Sequence, residues 1–491
     1  MGTKDLRIVL RDVGLLAPVV GVMAVCSVPV AVLFDEWHAL GALGWTVVAS
    51  LGVWAFLYLP FRRAGEARLK HGLIVAAVGW LVVAALGALP LSLVSTGARE
   101  AGLPYADPTS AFFESISGFT GTGLTMALRP DLLPRTLQWW RSFMEWVGGM
   151  GVIVLMITLI VGPGMTAANL YFAEARGEKI HPSVLSTVRT MWWIYLLYTF
   201  LAVAALWGAG MPLWDAVNHG MTGVATGGFS IWPESLGHYR SLGIEIVTLF
   251  VMIAGAISFV VHYHTLQRGP RTLVADVQTR ALLILVVVGG ALLSALRLGV
   301  VSADAAFRGG AFQFASALTC TGFQTVPLDG WSDVAKLMLI VGMVIGGAAG
   351  STAGGIKVMR FMLLVRGASW QLKRLARSPD AVIPLRWGRQ PLPEVVAFRR
   401  MGEAAVLAML WLFFLLAGAL LLSRFVSPDV RLADLLFEVA SAQGNVGLSV
   451  GITAPGMSGA AKLVLCFNMW VGRLEIIPVL MLIRGLTFQR D

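Results

Sequence analysis

The chain has 491 residues, 57% hydrophobic and only 13% charged, with a formal net charge of +10. A soluble domain carries roughly 25% charged residues, so this chain lacks the charge to cover a water-facing surface, and its basic excess does not point to nucleic acid. Cys26, Cys320 and Cys466 form neither a disulfide framework nor a zinc spacing and read as small buried hydrophobes.

Two apolar spans lead, residues 13–34 and 40–60, each about the 20 residues a helix needs to cross a bilayer. The first is too long for a cleavable secretion signal, and no small-residue cleavage site follows it. One unit then recurs four times: long helix, short helix, Gly/Thr loop, long helix. The predicted helices are 71–93, 108–119 and 139–161; then 190–210, 215–224 and 244–264; then 279–298, 304–318 and 336–358; then 402–423, 434–442 and 461–484. At ~1.5 Å per residue the short helices fall well below the ~30 Å hydrocarbon core, so each enters and returns on one side. Non-helical backbone at that depth is tolerated only inside protein or along a watery cavity. The expected fold is an all-α polytopic membrane protein: a two-helix N-terminal extension (1–68), then four pseudo-repeated pore units (69–175, 176–275, 276–378, 379–491) around one central pore.

Basic residues cluster between spans. Residues 61–71 hold Arg62, Arg63, Arg68 and Lys70 against Glu66, and residues 357–400 hold ten Lys and Arg against Asp380 and Glu394. The positive-inside rule makes these connectors, and both termini, cytoplasmic. The loops then open on the outer side.

The four loops align without a gap as SGFTGTGLT (117–125), TGVATGGFS (222–230), SALTCTGFQ (316–324) and SAQGNVGLS (441–449). Position seven is always glycine: Gly123, Gly228, Gly322 and Gly447. Before it stand Thr120-Gly121-Thr122, Ala225-Thr226-Gly227, Thr319-Cys320-Thr321 and Gly444-Asn445-Val446. Fourfold repetition of such a loop points to a ring of backbone carbonyls that replaces the water around a cation. Glycine opens the backbone angles that aim successive carbonyls inward. No acidic ring replaces it, which disfavours a carboxylate filter. Ser117, Thr222, Ser316 and Ser441 are placed to bond the loops from behind, and Glu114, His219, Gln313 and Glu438 to brace the filter or face the outer vestibule.

Other residues leave alternatives open. Gly342, Gly346, Gly350 and Gly354 recur every four residues, as on a tightly packed membrane helix. Lys357 either reaches the pore or lies at the cytoplasmic surface. Arg473 falls inside the last span, where a charge faces a cavity or a partner. Glu145 pairs with Arg141 or another helix, or serves the pore. His262 and His264 read as interfacial rather than metal-binding.

Three further segments carry a resemblance. Trp146-Val147-Gly148-Gly149-Met150-Gly151, the run Gly346-Gly347-Ala348-Ala349-Gly350-Ser351-Thr352-Ala353-Gly354-Gly355-Ile356-Lys357, and Met469-Trp470-Val471-Gly472-Arg473-Leu474-Glu475 resemble the WIGGMG, GG-AGST-GGIK and M-x-x-GRLE segments of the Trk/Ktr/HKT potassium transporters. The two leading spans are similar to the TrkH type rather than the shorter KtrB type. The resemblance implies potassium as the transported ion, with no cofactor in this chain. It implies that Gly346–Gly355 forms an intramembrane gate loop below the filter, with Lys357 and Arg473 in the gate and Arg473 as a barrier. It further implies a homodimer in the bacterial cytoplasmic membrane and a cytosolic TrkA-type ring that binds nucleotides. The basic connectors 357–400 and 162–189 would dock that ring or anionic lipid headgroups. The chain has no phosphate-binding G-x-x-x-x-G-K-[ST] loop, so the ion gradient and membrane potential would drive transport. An intramembrane enzyme would need a nucleophile–base pair that the spans lack. A sodium-selective pore of the HKT sort would commonly replace Gly123 with serine.

Overall fold

The computed structural model describes residues 2–97, 103–151, 180–181, 183–377, 385–387 and 390–487. The charged, amphipathic α1 (Thr3–Gly14) leads into the apolar α2 (Ala17–Leu33), and α3 (Trp37–Tyr58) packs back along α2. Unit one follows as α4 (Leu69–Gly97), α5 (Pro108–Thr120) and α6 (Arg135–Met150). Unit two comprises α7 (Val184–Gly208), α8 (Leu213–Val224), α9 (Leu242–Gly255), α10 (Phe259–Arg268) and the short α11 (Arg271–Ala275). Unit three comprises α12 (Val277–Arg297), α13 (Ala303–Leu318), α14 (Asp333–Ile345) and α15 (Val358–Leu375). Unit four comprises α16 (Glu394–Leu422), α17 (Leu432–Gly444), α18 (Gly459–Arg473) and α19 (Ile477–Thr487). A small antiparallel hairpin, Leu385–Trp387 with Gln390–Leu392, precedes α16. Among the described residues six helices are long and apolar enough to cross a membrane, or up to eight if each bent pair is one span. Their outer faces expose Trp193, Phe200, Phe250 and Phe413, as a lipid-facing surface does. The protein is a multi-pass membrane protein.

The units close into a ring. The inner helix of each unit packs on its own short helix and on that of the next unit: α6 on α5 and α8, α9 on α8 and α13, α14 on α13 and α17, and α18 on α17 and α5. Polar contacts at the fourth residue of each inner helix pin the four seams. Gln138 Oε1 accepts from Trp214 Nε1 at 2.9 Å, and Glu245 Oε1 from Arg308 at 2.8 Å. Lys336 Nζ donates to Asp434 at 2.6 Å, and Lys462 Nζ to Asp107 at 2.9 Å and Ser110 at 2.8 Å. All four inner-helix residues are buried. Burial disfavours the Asp107 charge, yet hydrogen bonds from Thr109, Lys462 and Ser110 prevail and hold its carboxyl well below the usual carboxylate range. Lys336→Ala leaves Asp434 only the flanking Arg431, so the expected loss is about 1–3 kcal/mol. Thermal unfolding in detergent measures it, and the Lys336→Asp, Asp434→Lys double swap recovers part of it.

The N-terminal extension supplies a cap. α9, α14 and α18 begin on Ser241, Ser332 and Ser458, whose hydroxyls accept from the first turn. α6 begins on Pro134, and Glu36 takes that part, accepting from Arg135 N at 2.6 Å and Thr136 N at 2.8 Å.

The inner helices of units two, three and four break midway, which corrects the continuous spans expected over 244–264, 336–358 and 461–484. α6 ends at Met150 with Gly151 at φ 96°, and the remainder of the span expected over 139–161 lies outside the described residues. α9 and α10 meet at 104°, and α18 and α19 at 109°. α14 stops at Gly346, φ 72°. A broken helix frees carbonyls that must find donors inside a membrane, and the site below supplies them. The Gly342–Gly354 stripe is therefore not one helix face: only Gly342 lies within α14.

Candidate functional site

Each short helix ends in the same turn. The residue at position five has positive φ in all four loops: Gly121 66°, Thr226 51°, Cys320 54° and Asn445 52°. The N–H at position six returns to the carbonyl at position one: Thr122 to Ser117 at 2.8 Å, Gly227 to Thr222 at 2.9 Å, Thr321 to Ser316 at 3.0 Å and Val446 to Ser441 at 2.9 Å. This is the Schellman cap of a helix C-terminus, and it ends each helix at the same depth. The repeated conformation at position five was missed in the sequence, although Gly121 and Asn445, both tolerant of the left-handed region, were a signal for it.

Two residues later, Gly123, Gly228, Gly322 and Gly447 stand at φ 83°, 81°, 83° and 95°. Each presses on the position-six carbonyl of another loop. A Cβ on Gly123 would lie 2.1 Å from Gly227 O; on Gly228, 1.9 Å from Thr321 O; on Gly322, 1.9 Å from Val446 O; and on Gly447, 2.4 Å from Thr122 O. The contacts run from loop one to two, two to three, three to four and four to one, so positions six and seven of the four loops form a closed ring. Thr120 and Thr122 pair through their hydroxyls at 2.7 Å, as Thr319 and Thr321 do at 2.8 Å. Asn445 Nδ2 ties loop four to loop one through Thr122 Oγ1 at 3.0 Å. Ala225 and Gly444 carry no polar side chain at the position of Thr120 and Thr319.

The braces hold, with one exception. Thr222 and Ser316 donate to Phe229 O and Phe323 O at 3.0 and 2.8 Å, and Ser441 Oγ accepts from Gly447 N at 3.1 Å. Ser117 Oγ is buried without such a partner, so the expected contact is not made in loop one. Glu114 accepts from Met126 N, Thr125 and Arg141, and Glu438 from Ser449, Val450 N and Thr453 N. His219 bonds Ser230 at 2.9 Å and Gln313 donates to Thr325 at 3.3 Å. All four bond the chain that follows the position-seven glycines. Beyond the ring a cavity of about 180 Å³ opens, bordered by all four position-seven glycines with Ser230, Gln324 and Ser449.

On the other side of the ring, residues 346–357 form a non-helical loop that takes up the freed carbonyls. Ala348 N donates to Ala256 O at 2.9 Å and Thr352 N to Gly255 O at 3.3 Å. The Thr352 hydroxyl reaches Gly255 O at 2.9 Å and meets the Thr226 hydroxyl at 3.0 Å. Ala349 N donates to Gln278 Oε1 at 3.0 Å, and Phe259 N to Gly350 O at 3.1 Å. A Cβ on Gly354 would lie 2.0 Å from Gly444 O, so this loop abuts loop four directly. Gly347, Ser351, Ala353 and Gly355 complete it, and Lys357 folds back to donate to Ala353 O. Arg473 ends α18 and donates to Thr352 O at 3.3 Å, Gly148 O at 2.5 Å and Gly149 O at 3.2 Å. Units one, three and four thus meet at one guanidinium.

Arg360 pairs with Glu475 at 2.5 Å. Two expectations are corrected. His262 is buried rather than interfacial, because the α9–α10 bend turns its Nε2 onto Ala254 O at 2.9 Å. Cys26 is exposed on the outer side of α2, while Cys320 and Cys466 are buried. Among the described residues no group of His, Cys, Asp or Glu could hold a metal. The connector 162–189 lies largely outside the described residues.

Comparison with known proteins agrees with this geometry. The TrkH family profile, described as a cation transport protein, matches residues 46–488. The Trk system potassium uptake protein TrkH of Salmonella typhimurium is 32% identical over 502 residues, 99% of each chain. An uncharacterized cation transporter of Methanocaldococcus jannaschii is 31% identical over 487 residues, 99% of this chain and 97% of its own. The crystal structure of the potassium transporter TrkH from Vibrio parahaemolyticus matches with a TM-score of 0.83 at 30% identity, covering 99% of each chain. The chain belongs to the TrkH family of cation transport proteins.

Proposed function

We propose that this protein takes up potassium across the bacterial cytoplasmic membrane through the ring of four loops. The closed sequence of glycine-to-carbonyl contacts carries the reading: it crowds main-chain oxygens from four loops about one line, the coordination a large, weakly hydrated cation accepts in place of water. The printed names of the Salmonella and Vibrio relatives support potassium as that cation. The position-five to position-seven residues of each loop, with Thr120, Ala225, Thr319 and Gly444, line the filter. Residues 346–357 and Arg473 form the gate on its inner side. The membrane potential and ion gradients drive the flux. Both termini and the basic connectors face the cytoplasm, where a nucleotide-binding ring of TrkA type docks on a homodimer; the relatives' naming as parts of a Trk system supports a partner.

Rubidium or potassium flux into liposomes holding the purified protein tests this reading. Uptake driven by an inward gradient and an inside-negative potential is expected, with potassium and rubidium preferred over sodium. Flux that requires a sodium or proton gradient would make the protein a symporter. Equal sodium flux would make it the sodium-permeable variant, which the intact Gly123 argues against. Absence of flux under every gradient overturns the reading.

A further inference from the structure

Counted from their first residues the four inner helices align in register, and at the eleventh place three of them carry the same buried side chain. The eleventh residue is Met252 in α9, Met343 in α14 and Met469 in α18, but Glu145 in α6. All four side chains are fully buried. Packing at this place is met by methionine three times, so a carboxylate needs another reason, since burying its charge is costly.

Its position supplies one. Glu145 Oε2 accepts from Phe229 N at 3.0 Å, the residue after the loop-two ring glycine. A Cβ on Gly227 would lie 2.5 Å from the Glu145 carboxyl carbon. The carbonyl of that same Gly227 is the one pressed against Gly123 in the ring. The carboxylate therefore stands directly behind a filter residue. One helical turn away, Arg141 is committed elsewhere: it donates to Glu114 at 2.6 Å, to Thr125 at 3.0 Å and to Ser230 O at 3.0 Å. Glu145 Oε1 is buried and has no hydrogen-bond partner among the described residues.

We propose that Glu145 is a positioning and specificity-determining residue of the filter. Its carboxyl fixes loop two through Phe229; burial disfavours its negative charge, and a monovalent cation in the ring at Gly227 favours it, so ionisation and cation binding support one another. The inference rests on the proposed cation path and adds an asymmetry to it: a carboxyl stands behind loop two, where the other three inner helices carry methionine at the same place.

Glu145→Gln keeps an acceptor for Phe229 N–H and removes the charge. Glu145→Met removes both and copies the other three units. In rubidium uptake by liposomes, Glu145→Gln is expected to raise the half-saturating concentration about threefold to tenfold, with a smaller change in maximal rate. Glu145→Met is expected to lower the rubidium-to-sodium ratio further. A merely structural residue would instead reduce the yield of folded protein and the maximal rate together. In detergent, rubidium protection against thermal unfolding is expected to need several-fold more rubidium in Glu145→Gln than in the unmodified protein. Equal half-saturation, selectivity and protection in Glu145→Gln overturn this inference alone. An unmodified protein without cation flux overturns both it and the function on which it rests.

Discussion

Gly228→Ala is expected to abolish cation flux, whereas Gly121→Asn is expected to leave it measurable. Both glycines have positive φ, 81° and 66°. The difference lies in what stands beside them. A Cβ on Gly228 meets Thr321 O at 1.9 Å, while a Cβ on Gly121 meets nothing within 4 Å. The left-handed backbone alone costs a non-glycine residue about 1–2 kcal/mol, and three loops already bear that cost at position five, with Thr226, Cys320 and Asn445. Asparagine at Gly121 copies loop four. At position seven the clash is with a carbonyl of the ring, and packed interiors relieve such overlap by shifting backbone rather than absorbing it. The carbonyl that shifts is one the cation would need. Rubidium uptake, with size-exclusion profiles as a check on folding, measures the contrast. Full flux in well-folded Gly228→Ala would show that the contact between loops two and three is not part of the path.

The ring was legible in the sequence because four copies constrain one another. A single Gly/Thr loop is ambiguous with helix packing; four in register, with glycine invariant at position seven, are not. The helix breaks were not legible. Residues 244–264 stay apolar through the bend, and 461–484 carry only Arg473 and Glu475 at theirs, so each pair still reads as one span. The breaks arise from distant partners: Gly255 and Ala256 give their carbonyls to Thr352 and Ala348, almost a hundred positions away. Local pattern cannot register such a demand. The seam contacts were hidden for the same reason. Lys336 and Asp434 are 98 residues apart, and Lys462 and Asp107 are 355 apart. Residues 346–357 were legible only through the family likeness, because glycine every four residues suits a packed helix as well as a loop. Arg473 was placed inside a continuous helix, and it stands instead at the end of one, where its reach to the carbonyls of α6 is possible.

That position makes Arg473→Ala the second large effect: a rise in cation flux of tenfold or more. The guanidinium joins Thr352 O of the inner loop to Gly148 O and Gly149 O at the end of α6. Those carbonyls stand at the end of α6, where a helix runs short of its own donors; Gly148 O also accepts from Gly151 N at 3.0 Å. Hydrogen bonds from a charged donor are worth about 1.5–3 kcal/mol, which corresponds to roughly ten- to a hundred-fold in the balance between a closed and an open inner loop. The loop keeps its bonds to Gly255 and Ala256 when the arginine is lost, so it loosens without detaching. Removing a fixed positive charge beneath a cation filter also lowers the electrostatic barrier to passage, an effect of the same sign. Arg473→Lys separates the two contributions. Lysine retains the charge but lacks the planar fork that spans three carbonyls. High flux in both variants assigns the effect to the tether, and high flux in alanine alone assigns it to the charge. Unchanged rubidium flux in a well-folded Arg473→Ala protein would remove the arginine from the gate, and would leave the inner loop held by its contacts to unit two.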